Sequence, residues 1–359
     1  MTPYSTRGNR ENRGYYMDNI VNAILTRNMV AALTLALSVS AWKTRAGEVG
    51  HFAPGVPNIR DFVVPAPGFY GVLYTYNYGT TQINDANGNR IDSITIDPPG
   101  LTLDVDVDVD LYAIAPTFIW VSDWKILGAK YGAYVNLTLA NSSVGAALNT
   151  VEGDGRSIDT SQFDIGDIFV QPLWLGWSLA HFDFALGYGF YAPSGRYSTM
   201  TVDTLLGPIK TTSPDNIGLG FWTHQIGGGA SWYPWAHQAT AVALGMTYEI
   251  HQKKEGFDIT PGQNFTLNYG ISQFLPLNKG ESLLLEIGPK GYSSWQITDD
   301  TGSDVIDPSV HDQVHGVGGQ LGITYVPWVL SANFHGFYEY AAVDRFQGWS
   351  IGLNIAKQF

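Results

Sequence analysis

Four aspartates, Asp104, Asp106, Asp108 and Asp110, alternate with apolar residues in the stretch LDVDVDVDL at residues 103 to 111. Carboxylates at close spacing are the raw material of a calcium site or of acid–base catalysis. A calcium loop of the EF-hand type needs glycine at its sixth position and glutamate at its twelfth. Counted from Asp104 those positions hold Val109 and Ala115, and counted from Asp106 they hold Leu111 and Thr117. Same-face neighbours on a strand stand about 6.8 Å apart, whereas calcium holds its oxygens at about 2.4 Å. The ladder is therefore a poor chelator, and neither a metal nor a cofactor is expected.

Nucleophilic chemistry finds equally little support. There is no cysteine, which removes thiolate catalysis and disulfides together. None of the eight histidines is followed two residues later by serine, the spacing of the phospholipase barrels, and no GxSxG elbow is present. No catalytic residue is assigned. A net charge of −13 and a pI of about 4.9 leave no basic face for nucleic acid.

The elements that carry these residues are strands. Only 14% of the residues are charged, against about 25% in an ordinary soluble domain. Beyond residue 68 no segment keeps a helical apolar period, whereas period-two alternation recurs throughout. At the C-terminus Trp349, Ile351, Leu353, Ile355 and Phe359 share one face, and Ser350, Gly352, Asn354, Ala356 and Gln358 share the other. Twelve such strands can be placed, at 68–83, 101–121, 126–141, 163–179, 181–193, 218–233, 238–252, 263–276, 281–296, 313–326, 330–343 and 348–359.

Long polar connections at 84–100, 142–162, 194–217, 253–262 and 297–312 alternate with tight ones near SDWK (122–125), AHF, PWAH, LNKG and VPWV. Sorted loops and an even strand number indicate a transmembrane antiparallel β-barrel of the outer-membrane type. Tryptophans such as Trp120, Trp124, Trp177, Trp235 and Trp328 gather near strand ends, as aromatic girdles do. The terminal Phe359 on an apolar strand face is the mark by which barrel assembly machinery reads such chains.

The N-terminus reads as an export signal. Arg7, Arg10, Arg13 and Arg27 precede the apolar run MVAALTLALSVSA and the sequence KTRA ending at Ala46, an order typical of secretory leaders. Cleavage after Ala46 or after Ala41 would leave a chain more acidic than the full one. Residues 47–67, rich in proline and glycine, show no apolar period and precede the first strand. They are expected to plug the lumen or to hang in the periplasm. A plug would give Phe52, Ile59, Arg60, Asp61 and Phe62 somewhere to pack.

The stretches GEVGHFAPGVPNIRDFVVPAPGFYGVLYTYNYG (47–79), DIGDIFVQPLWLGW (164–177) and HFDFALGYGFYAPSGRY (181–197) resemble the outer-membrane family of meta-pathway of phenol degradation proteins. The resemblance covers nearly all of the exported chain. It implies a barrel in the outer membrane of a Gram-negative bacterium that passes small, hydrophobic or aromatic compounds, and it brings no catalytic residues.

With residues 1–46 as leader, 47–67 as the periplasmic or plug segment and 68–359 as the barrel, the ladder falls at the outer mouth. There Asp104, Asp106, Asp108 and Asp110 are expected to face the vestibule and to favour cations. Deeper lumen candidates follow by parity: Lys130, Asn136, Asp167, Asp183, Glu249, His251, Glu286, Lys290, His335 and Glu339. The expected function is passive passage of a small molecule by a monomer in contact with outer-membrane lipid. The alternatives are a lipase- or protease-type barrel enzyme and a structural or adhesive surface barrel.

Overall fold

The computed structural model describes residues 49–96, 101–149, 156–204, 207–305 and 307–359. The leader therefore lies outside the described residues, as do Gly47 and Glu48. The strands are β1 (Gly68–Thr80), β2 (Ser93–Ile96), β3 (Leu101–Ile126), β4 (Ala129–Asn136), β5 (Leu139–Asn149), β6 (Arg156–Ile165), β7 (Ile168–Ser178), β8 (Phe182–Ala192) and β9 (Thr199–Thr204). They continue with β10 (Gly207–Thr212), β11 (Thr223–Trp232), β12 (Thr240–His251), β13 (Asn264–Pro276), β14 (Leu283–Gln296), β15 (Gln313–Tyr325), β16 (Leu330–Val343) and β17 (Trp349–Gln358).

Every neighbouring pair in the main sheet is antiparallel, and β1 pairs with both β3 and β17, so the sheet closes on itself. β4 and β5 both pair with β3 and act as one long strand interrupted at Leu137 and Thr138. β6 and β7 likewise form one strand, interrupted at Gly166 and Asp167. The result is a closed barrel of twelve strands. β2 adds to the upper part of β3, and β9 with β10 forms a separate hairpin in the connection from β8 to β11.

The wall is inverted relative to a soluble protein. On β17, Trp349, Ile351, Leu353 and Ile355 are exposed, while Ser350 and Asn354 are buried. On β8, Phe182, Phe184, Leu186 and Tyr188 are exposed and Ala185 is buried. Apolar side chains outward and polar or small ones inward is the arrangement that a hydrocarbon surround selects. The chain is an outer-membrane β-barrel.

Two of the differences from the sequence reading alter the wall. The segment 122–125 is a bulge inside β3 rather than a turn: the pairing with β4 shifts register between Val121 and Lys125, and Ser122 Oγ donates to the carbonyls of Trp124 and Tyr131. The reversal comes two residues later, where Leu127 and Gly128 both adopt positive φ, 53° and 78°, the backbone of a two-residue hairpin turn. The stretch 142–162, expected as a polar loop, instead prolongs the wall as β5 and β6. Its Ala, Gly and Ser residues hide the alternation.

Candidate functional site: a segment inside the lumen and the cavity beside it

Residues 49–67 run inside the barrel. Pro54, Pro57, Pro65 and Pro67 have no N–H to donate to a ladder, and Gly55 takes φ +79°, so this stretch cannot join the sheet. Its backbone groups are removed from bulk water and need partners, which the wall supplies through side chains. Glu249 Oε1 accepts the N–H groups of His51 (3.1 Å) and Phe52 (3.0 Å). Asn268 accepts from Gly55 and Gln320 from Ile59. Lys290 Nζ donates to the carbonyls of Gly55 (2.9 Å) and Pro57 (2.7 Å), Asn354 to that of Val56, and Lys130 Nζ to that of Val64 (2.8 Å).

The segment also reaches outward. Arg60 donates to Ser272 Oγ and to the carbonyls of Gln238 and Ala239, stands 3.4 Å from Glu286, and stacks over Phe274. Asp61 accepts from Asn58 N–H and from the hydroxyl of Tyr74. Ile59, 1% exposed, packs against Gly270 and Gly288. Phe62 fits a bay whose floor is Gly229 and Gly245; a Cβ on either glycine would collide with it. The mixed charges of the lumen wall thus serve largely to hold this segment.

Of the residues picked by parity, Lys130, Asp167, Glu249, Glu286 and Lys290 meet the segment directly. Asp183 accepts instead from the Tyr233 hydroxyl, and Asn136 donates to Thr117. Glu339 accepts from the hydroxyls of Tyr78 and Tyr292 and from Gly348 N–H. His335 is 1% exposed, and neither ring nitrogen has a hydrogen-bond partner in the structure. The sequence reading missed His51, Thr223, Asn268, Gln320 and Asn354. For the four on strands the signal was present, since each lies on the inward face of its strand.

The aspartate ladder is a correction. Thr117, Val109 and Leu103 are buried, whereas Tyr112 and Phe118 are exposed. The inward face of β3 is therefore the odd-numbered one, and it includes Leu111, Ala113, Ala115 and Ile119 at the cavity. Asp104, Asp106, Asp108 and Asp110 share the other face and point away from the lumen. Asp106 accepts from Asn149 on the outside of the wall. The mouth of the barrel is lined on this side by valine and alanine, not by carboxylates.

Between the segment and the wall formed by β1, β3, β4, β7 and β8 lies a cavity of about 760 Å³. Tyr74 and Tyr76 of β1, Ala113 and Ala115 of β3, Tyr134 of β4 and Trp174 of β7 line it. Lining residues extend from Ile217 and Leu219 on the long-loop side to Val329 and Lys357 at the tight-turn side. Most of the polar bonds of the segment thus run to β12–β17, while toward the cavity Tyr70, Tyr74, Lys130 and Asp167 reach it across a largely apolar space.

One constellation resembles a hydrolytic triad. His51 Nε2 stands 2.9 Å from Asp167 Oδ2, and Nδ1 2.8 Å from Thr223 Oγ1. The hydroxyl also meets His251 at 2.7 Å, and Thr223 is 0% exposed. A nucleophile must reach its substrate, and this oxygen has no free approach. Among the described residues, no group of three or more His, Asp or Glu side chains could hold a metal ion.

The model of the family described as the MetA-pathway of phenol degradation matches residues 80–355. The chain belongs to that family. Among solved structures it is similar to an outer membrane channel from Pseudomonas putida F1, at 12% identity and a TM-score of 0.61, covering 86% of this chain and 100% of that one. It is more distantly similar to the β domain of the Bordetella autotransporter BrkA, at 12% identity and a TM-score of 0.42, covering 82% and 100%. A FadL homologue of Pseudomonas aeruginosa gives 12% identity and a TM-score of 0.34, covering 89% and 98%. No curated protein matches the chain. The family assignment agrees with the resemblance, since the matched residues include the two central stretches at 164–177 and 181–197 while 47–79 precede the match, and the first of these similarities agrees with the barrel.

Proposed function

We propose that this barrel is a passive channel for small, hydrophobic or aromatic molecules, which pass through the cavity beside the lumen segment while that segment stays seated as a plug. The observation that carries this reading is the cavity itself. Its tyrosine, tryptophan and alanine wall offers an apolar cargo dispersion contact and relief from water, and a volume of about 760 Å³ lies within the usual range of small-molecule sites.

Seating follows from energetics. Withdrawing the segment would strip partners from the buried Lys290 and Glu286, and removing the partner of a buried charge costs roughly 3–5 kcal/mol. Passage through the cavity leaves the bonds of the segment to Glu249, Lys290, Gln320 and Asn354 in place. The similar Pseudomonas putida protein is an outer membrane channel, which favours transport over surface adhesion.

The test is reconstitution of the folded barrel in liposomes and planar bilayers. Uptake of a labelled monocyclic aromatic that exceeds uptake of a sugar of similar mass is expected. Equal, background-level flux of both would refute the proposal.

A further inference from the structure

We propose that the outer end of the lumen segment is fastened by a proton-loaded latch, in which one extra proton held by the His51–His251 pair locks the segment to the wall and its loss frees that end. This goes beyond the transport reading and does not depend on what the barrel carries.

The argument is a count of protons along one chain of hydrogen bonds. Asp167 Oδ2 meets His51 Nε2 at 2.9 Å, His51 Nδ1 meets Thr223 Oγ1 at 2.8 Å, Thr223 Oγ1 meets His251 Nδ1 at 2.7 Å, and His251 Nε2 meets Asn264 Oδ1 at 2.8 Å. Four bonds need four protons. The Asp167 carboxylate brings none, since an ionised carboxylate only accepts; Leu219 N–H already donates to the same oxygen and Gly195 N–H to the other. The oxygen of Asn264 brings none, and the Thr223 hydroxyl brings one. The two imidazoles must bring three, whereas two neutral imidazoles carry only two. The proposed latch therefore carries one extra proton, shared by the two rings.

Turning the Asn264 amide would supply the missing proton, but it would direct the amide oxygen at Asp312. The amide nitrogen now faces that carboxylate at 3.4 Å, and Arg345 holds it in place at 2.8 Å. The amide is thus fixed from the far side.

The other groups around the pair are Glu249, which holds the backbone of His51 and Phe52; Tyr191, which stacks on the His51 ring at 4.6 Å; and Phe221, edge-on to both rings. His51 belongs to the segment, while Asp167, Thr223 and His251 belong to the wall. The proton therefore sits on the junction between the two.

The direction of the pH effect follows from linkage. Seated, the chain holds the extra proton; released into water, the segment loses the partners that retain it, and a free imidazole gives up its proton at about pH 6.5. Below that pH both states carry the proton and the advantage of the seated state is full. Above it the ratio of released to seated ends rises by up to about tenfold per pH unit.

The chain has no cysteine, so a single spin label at Val49→Cys, an exposed position beside the latch, reports this junction alone. In nanodiscs the folded full-length exported chain should show an immobile label at pH 6 and a growing mobile fraction by pH 9. Thr223→Val, which keeps the shape and removes the central hydroxyl, should flatten that response; His251→Gln makes the same comparison if the first variant does not fold. A label whose mobility is constant from pH 6 to 9, or a response unchanged in the folded variant, would overturn the latch. Nitrogen-15 spectra of the histidine rings provide a separate reading: a doubly protonated ring at pH 7 that is lost in both His51→Gln and His251→Gln is expected, and two neutral rings at these positions would overturn the proton count.

Discussion

The seat of Phe62 allows the lumen segment to be dislodged without touching any of its polar bonds. Gly229 lies on the inward face of β11, and a Cβ placed there would stand 2.7 Å from the carbonyl carbon of Phe62 and 2.8 Å from its Cβ, with the carbonyl oxygen closer still. The obstacle is backbone, so no rotamer change can relieve it. Gly229→Val should therefore push the segment away from β11. Overpacking of this kind costs roughly 1–3 kcal/mol, which corresponds to a shift of about 5- to 150-fold in the ratio of displaced to seated segment. The control is Gly228→Val, one residue earlier on the opposite face of the strand, where the nearest atom to a new Cβ is 3.5 Å away. Both variants should fold, as judged by resistance of the barrel to unfolding in cold detergent. Chymotrypsin should then cut at Phe52 or Phe62 only in Gly229→Val, and its single-channel conductance should rise above that of Gly228→Val. A folded Gly229→Val barrel with unchanged conductance and an uncut segment would refute the seating of Phe62 between Gly229 and Gly245.

Three further outcomes follow from the geometry. Replacing Asp104, Asp106, Asp108 and Asp110 together by asparagine should leave ion selectivity, measured as a reversal potential, nearly unchanged, because these carboxylates face away from the lumen; a loss of cation preference would place them at the mouth after all. Ala115→Trp should fill part of the cavity and reduce aromatic flux in liposomes severalfold while the segment stays protected from protease; undiminished flux would mean that cargo passes elsewhere. Arg60→Met leaves Glu286 buried without its cation, which should lower stability to guanidinium by roughly 3 kcal/mol. Adding Glu286→Gln should restore part of that loss, and a single variant as stable as the parent would show that the pair is not a fastening.

Legibility of the sequence depended on depth in the membrane. Along β17 the alternation of Trp349, Ile351, Leu353 and Ile355 with Ser350, Gly352 and Asn354 gave the correct faces, because lipid on one side and a polar lumen on the other sort side chains cleanly. The same parity placed Glu249, Glu286 and Lys290 inward. It failed at the ladder for a physical reason. Above the hydrocarbon there is water outside the wall, so the rule reverts to that of a soluble sheet: valine turns in and aspartate out. The chain crosses from one regime to the other within β3, and nothing in its alternation marks the crossing. The triad-like group was illegible for a different reason, since His51, Asp167 and Thr223 are far apart in sequence and meet only because an aperiodic segment folds into the lumen.

The segment is tied to both edges of the seam where the barrel closes. Asn354 of β17 holds Val56 and Asn58, Gln358 donates to the carbonyl of Pro67, and the Tyr74 hydroxyl of β1 reaches Asp61. Strands first and last in the chain are thus joined through the segment as well as through their own ladder. The 19 residues from 49 to 67 hold these bonds inside a closed wall, the arrangement that enclosure during zipping of the seam would produce. The segment is then the mandrel around which the sheet is wound, and a chain lacking it should be slow to close long before any defect in permeation could be measured.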